Sequence, residues 1–267
     1  MIDRTDRWRR GWLLLLMLVT VTSSGFLLGR GIEAQSQVVA PPSVEPSESP
    51  PAPPPVLESA AKPVPVTTLA ATLPKRGSGK FWYATTRGPV LGSKGPLRRF
   101  KVAVERGSGE DVTAFAEEVG RTLGDPRSWV GGGTIRLQQV TGADRADFTV
   151  LLATRETAGE MCQRGGTSIR VGGVPYTSCR TAGKAIINLD RWRLSATPFR
   201  NAKVPLSSYR QYVINHEVGH ELGHQHQGCP RAGGPAPVMV QQTLSTRGCR
   251  PYPWPRRGND FLIGPLR

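Results

Sequence analysis

Cysteine is scarce in this chain, and its placement excludes several arrangements. All four cysteines fall between Cys162 and Cys249, so no thiol stands near the N-terminus to carry a lipid, and no C-x-x-C pair offers a cysteine-rich metal site. Acidic residues are also few, 20 against 35 Lys and Arg, which leaves a net charge of +15. The excess lies late in the chain: 28 Lys and Arg against 14 Asp and Glu from Arg76 onward, and 7 against 6 before it. No nucleic-acid-binding motif accompanies the charge, so nucleic acid is not an expected partner. A basic domain suits anionic cell-envelope polymers or acidic protein substrates, and equally suits a surface that only aids solubility.

Long apolar runs are absent except for one near the N-terminus. Arg4, Arg7, Arg9 and Arg10 precede an uncharged stretch from Trp12 to Leu28, the pattern of an export signal. Its length approaches the roughly 17 to 25 residues that cross a bilayer, and Ile32-Glu33-Ala34 makes a poor cleavage site. The expectation for residues 1–34 is a signal-anchor with a cytoplasmic basic stub, with a cleaved signal peptide as the alternative. Either one exports the rest of the chain, giving a single-pass membrane protein with an extracytoplasmic domain or a secreted one. Residues 35–79, centred on Pro50-Pro51-Ala52-Pro53-Pro54-Pro55, lack the apolar surface to offset ordering and read as a disordered proline-rich linker. At about 3.1 Å per residue it reaches up to roughly 100 Å.

The folded domain is expected over residues 80–267. Arg99–Glu105 alternates as a strand, and a helix follows a capping-box-like start at Ser108 and Asp111, with Val112, Phe115, Ala116, Val119 and Leu123 on one face. Gly124-Asp125-Pro126 ends it. Further strands are expected at Thr134–Val140, Phe148–Leu152, Thr167–Val171 and Lys184–Leu189. Ser207 or Ser208 then caps a second helix.

That second helix carries the most specific stretch in the chain. From His216 to His226 the sequence reads His-Glu-Val-Gly-His-Glu-Leu-Gly-His-Gln-His, which contains H-E-x-x-H and extends to H-E-x-x-H-x-x-G-x-x-H. Residues four apart share a helix face, so His216 and His220 can aim at one ion, with Glu217 beside them as a general base rather than a ligand. On a continuing helix His224 would lie about 12 Å along the axis from His216, too far to share a metal. Gly223 can end the helix with a positive φ and let the chain bring His226 back. Three imidazoles leave a fourth position for water, the arrangement of a catalytic zinc ion. His224 reads as exposed or as a residue behind the ligands, Glu221 as a solvated helix charge, and Asn215 and Gln225 as ordinary polar surface.

The motif resembles that of the metzincin clan of zinc endopeptidases, which also place a methionine in a tight turn beneath the metal. Pro237-Val238-Met239-Val240 supplies it, since Met1, Met17 and Met161 precede the motif. From about Phe81 onward, Tyr209–His220, Gly228-Cys229-Pro230, Pro235–Met239 and Pro251-Tyr252-Pro253-Trp254-Pro255 are similar to a family of exported bacterial proteins of unknown function with metzincin-like features. The resemblance implies an α+β, zincin/metzincin-like fold: a twisted, mostly parallel sheet, two main helices and a small irregular C-terminal subdomain. It also implies that an edge strand near Ile169 to Tyr176 pairs with extended substrate, although a plain surface hairpin fits that stretch as well.

Four cysteines in an exported chain allow two disulfides in three pairings. The sequence-local choice is Cys162 with Cys179 and Cys229 with Cys249. These observations lead to the expectation of an exported zinc metalloendopeptidase acting on a peptide or protein, with His216, His220 and His226 on Zn2+ and Glu217 as base. Two other readings fit the same sequence: a non-catalytic envelope-binding protein that keeps zinc, and a zinc amidohydrolase acting on peptidoglycan peptides.

Overall fold

The computed structural model describes residues 73–267. The apolar run at 12–28, with its signal-anchor reading, and the linker up to residue 72 lie outside the described residues. Among those described, no helix is long and apolar enough to cross a membrane.

The fold is mixed α/β around a seven-stranded, mostly parallel sheet. Its strands are β1 (Phe81–Tyr83), β2 (Val90–Leu91), β3 (Leu97–Glu105), β4 (Arg136–Gln139), β5 (Phe148–Ala153), β8 (Cys179–Thr181) and β9 (Lys184–Asn188); six follow the order β2-β4-β3-β5-β9-β8, and β1 pairs with β3 off this path. Strands β4, β3, β5 and β9 run parallel, and β1, β2 and β8 are antiparallel to their neighbours. The pleat divides the side chains. Phe100, Val102, Val104, Val150, Leu152, Ala185 and Ile187 enter the larger core, while Ala103, Leu151 and Ile186 enter a smaller one on the other face. A one-residue slip would exchange these sets, and each large apolar side chain buried correctly contributes about 1.5–3 kcal/mol, so the register is firmly specified.

Helix α1 (Val112–Gly124) and the later α5 (Leu206–Glu221) pack on the larger core. Asp111, not Ser108, is the N-cap of α1, and its carboxylate accepts from the Ala114 N–H at 2.7 Å. On the opposite face lies a helix that the sequence reading missed, α2 (Arg155–Arg164), whose buried residues are Thr157, Ala158, Gly159 and Cys162. Short helices α3 (Leu189–Leu194) and α4 (Thr197–Asn201) lead from β9 to α5. Beyond α5, residues 222–267 form an irregular subdomain with one small strand pair, β10 (Arg256–Arg257) and β11 (Asp260–Phe261).

The fold also reaches back beyond Lys80. Leu73 is buried, and Glu105, itself only 1% exposed, accepts hydrogen bonds from the Gly79 N–H, the Thr154 N–H and the hydroxyls of Thr154 and Thr157. A buried carboxylate needs such partners to offset its desolvation. Here they fasten residues 77–79 to the sheet and to the start of α2.

The expected edge strand is corrected. Strands β6 (Arg170–Val171) and β7 (Val174–Pro175) form a separate hairpin, exposed except at Pro175. The sheet edge is instead β8, joined to β9 through a two-residue turn in which Gly183 has φ 71°.

Candidate functional site

Helix α5 begins after Pro205, without a side-chain cap, so neither Ser207 nor Ser208 performs the capping expected of it. It is buried on almost every side: Tyr209 and the whole run Tyr212–Gly219 are covered by the sheet, α1 and the C-terminal subdomain. Such a helix has no solvent face to give it an amphipathic period.

The three motif histidines meet at its C-terminal end. His216 is buried, and His220 and His226 are half-buried. One ring nitrogen from each lies within 4.8 Å of the others. The turn that achieves this is the expected one: Gly223 has φ 95°, and the His224 N–H closes back on the Gly219 carbonyl at 2.9 Å. Backbone acceptors fix two of the rings. His216 Nδ1 donates to the Val238 carbonyl and His220 Nδ1 to the His224 carbonyl, both at 2.8 Å. Carbonyls accept only, so both Nδ1 atoms carry the proton and both Nε2 lone pairs are left free. His220 Nε2 and His226 Nε2 stand 3.1 Å apart.

Burial, with neighbouring imidazoles adding to it, pushes His216 well below the ordinary histidine value and His226 down to about 4. The rings are therefore neutral at neutral pH. Three converging neutral imidazoles, two with their Nδ1 groups oriented, fit a metal ion, and nitrogen donors of this kind suit zinc. His224 stands apart from the trio. Its ring stacks on Trp129 at 4.2 Å, and it contributes its carbonyl to His220.

Met239 lies beneath. Pro237-Val238-Met239-Val240 is a tight turn closed by the Val240 N–H to the Pro237 carbonyl at 3.0 Å, and Met239 is 2% exposed. The contact to α5 is close: a Cβ on Gly219 would lie 2.6 Å from Met239 Sδ and 2.6 Å from the Trp129 ring. The glycine at the fourth motif position is thus required by packing. Asn215, dismissed from the sequence as polar surface, is fully buried. Its Oδ1 accepts from Ser128 Oγ, its Nδ2 donates to the Pro253 carbonyl, and its own carbonyl accepts from Trp129 Nε1. It joins α5, the Trp129 turn and the C-terminal segment behind the site.

Glu217 and the three histidines line a cleft of about 250 Å³, whose other walls include Thr177, Ser178 and Arg180 from the β8 side and Gln241, Thr243 and Leu244 after the turn. Glu217 is 4% exposed and accepts no hydrogen bond among the described residues. Burial, reinforced by Glu221, pushes its carboxyl up to about 8. Glu221 is not the solvated charge expected. Its side chain is 4% exposed and pairs with Arg180 at 3.1 Å, tying the end of α5 to the sheet edge. Burial raises its pKa, and Arg180 opposes the shift.

Both disulfides follow the sequence-local pairing. Cys162–Cys179 links α2 to β8, and Cys229–Cys249 closes the segment that carries Met239. They fit an extracellular or otherwise oxidising compartment.

Comparison with curated proteins finds no match, and none is found among solved structures. One family does match, over residues 68–252. That span contains every histidine, Met239 and both disulfides, and stops short of β10. The chain belongs to the family described as Protein of unknown function (DUF3152).

Proposed function

We propose that this protein is a zinc-dependent endopeptidase with a metzincin-like catalytic domain. The observation that carries the reading is the convergence of three neutral imidazoles, two of them oriented by backbone carbonyls, beside a buried carboxylate in an open cleft. Supporting it are the methionine turn whose carbonyl holds His216, and the antiparallel edge strand bordering the cleft.

His216, His220 and His226 would hold the ion. Bound there, zinc would supply Lewis-acid chemistry, polarising a carbonyl and acidifying water. Glu217 is placed to take a proton from water and return it to the leaving nitrogen, the two halves of general base and acid catalysis. Among the described residues the outer edge of β8 has no strand partner, so an extended peptide could add to it by backbone hydrogen bonding.

The test is cleavage of a mixed peptide library by the wild type and by Glu217→Ala, with zinc content measured on both. Cleavage by the wild type alone, with zinc bound in each, is the expected result. If both bind zinc and neither cuts, the reading fails, and a non-catalytic envelope-binding role takes its place.

A further inference from the structure

The C-terminal subdomain has a charge bias that the zinc cleft does not use. From Leu222 to the end of the chain there are six arginines, no lysine and one acidic residue, Asp260. Arg256 is structural: buried, it donates to the Pro126 and Asn259 carbonyls and lies over Phe261. The other five, Arg231, Arg247, Arg250, Arg257 and Arg267, are exposed. Among the described residues none of these five lies within 4.0 Å of a carboxylate. Asp260 stands opposite Arg257 in the β10–β11 register yet makes no ion pair with it.

Two of the five border a cavity. Arg250 and Arg257 line a groove of about 320 Å³ together with Val204, Pro235, Pro251 and Tyr252. Lys203, exposed and without a carboxylate partner among the described residues, lies in the chain between Ala202 and Val204, both of which line the groove. The groove therefore has apolar and aromatic walls, cations at its mouth and no acidic residue in its lining. Low-dielectric walls concentrate the field of such charges.

The backbone beneath is fixed. Arg250 follows the disulfide-bonded Cys249, its N–H donates to the Gly234 carbonyl at 2.7 Å, and its carbonyl accepts from Ala236 N–H at 2.8 Å. Tyr252 is clamped at both N–H and carbonyl by the buried Gln242 side chain. The groove shares no lining residue with the zinc cleft.

We propose that the groove between Arg250 and Arg257 binds a phosphodiester or phosphate segment of an anionic polymer, a site separate from the zinc cleft. Planar guanidinium forks match the oxygens of a phosphate in pairs. The further unpaired arginines of the same subdomain favour a chain of anions over a single one, because successive groups on one polymer gain from their neighbours' attachment. The inference does not depend on peptidase activity.

The test measures binding of the full-length chain to inorganic polyphosphate at several salt concentrations, with inorganic phosphate and phosphatidylglycerol vesicles as parallel probes. Arg250→Gln/Arg257→Gln is compared with Lys94→Gln/Arg99→Gln, which removes two exposed charges that line neither the groove nor the zinc cleft. Polyphosphate affinity should fall about tenfold or more in the first variant and less than about twofold in the second, with the salt dependence losing about one unit of slope per cation removed. Equal losses in the two variants would reduce the effect to net charge and overturn the site. So would absence of polyphosphate binding by the wild type at low salt. Equal affinity for inorganic phosphate, or loss of vesicle binding with polyphosphate binding intact, would overturn the polymer assignment. Thermal unfolding of each variant checks that the fold is retained.

Discussion

Replacing Gly219 by alanine isolates the contact between the motif helix and the turn beneath it. The added methyl would stand 2.6 Å from Met239 Sδ and 2.6 Å from Trp129 Cζ2. Methionine can move aside, but the Trp129 ring is pinned by its hydrogen bond to the Asn215 carbonyl. Forcing a methyl into such a space costs about 1–3 kcal/mol. Alanine recovers up to about 1 kcal/mol in helix propensity, so a net loss of up to about 2 kcal/mol is expected. Gly120, in the middle of α1, is the internal control, since a Cβ there meets nothing within 4 Å. Gly120→Ala should therefore gain about 0.5–1 kcal/mol. At about 2–4 °C per kcal/mol for a domain of this size, thermal unfolding should move down for Gly219→Ala and up for Gly120→Ala. Met239 displacement should also loosen the Val238 carbonyl from His216, lowering zinc retention against a chelator in the first variant only. Shifts of the same sign in both variants would refute the packing argument.

Other outcomes follow from the same geometry. His226→Ala should lose stoichiometric zinc while His224→Ala keeps it, read by metal analysis after dialysis; the reverse result would reassign the third ligand. Asn215→Ala should destabilise by about 2 kcal/mol or more in denaturant unfolding, because it strands the Ser128 hydroxyl and the Pro253 carbonyl without partners; a change under about 0.5 kcal/mol contradicts its bridging role. Asp125 ends α1 and receives three hydrogen bonds from Arg127, which hold its carboxyl below the usual 3.8. A depressed carboxylate stabilises the fold above its unfolded pKa and loses that contribution as pH falls through the folded one. Asp125→Asn should thus lower the unfolding temperature at pH 7 and make little difference near pH 2, and a deficit that grows on acidification would exclude the pair as its source.

The sequence disclosed the site better than its surroundings, for physical reasons. The histidine motif is local: its eleven residues bring their own helix, their own terminating glycine and their own returning histidine. Strands β3 and β5 were legible because alternation or apolar runs survive in their sequences. Helix α2 was not, since it packs through Thr157, Ala158, Gly159 and Cys162, small residues that leave no hydrophobic stripe. The edge strand was misplaced because Thr167–Val171 has the better strand composition, whereas β8 is defined by its pairing with β9. Asn215 and Glu221 look like surface positions until tertiary neighbours arrive, Ser128 and Pro253 for one and Arg180 for the other. Their polarity within a helix that is buried all round was the available signal.

Zinc X-ray absorption on the purified full-length protein tests the central claim most directly. The account predicts one zinc per chain with a first shell of three imidazole nitrogens and one further light atom, all at about 2.0–2.1 Å. A shell containing sulfur at about 2.3 Å, or a chain that holds no zinc at neutral pH, would contradict it.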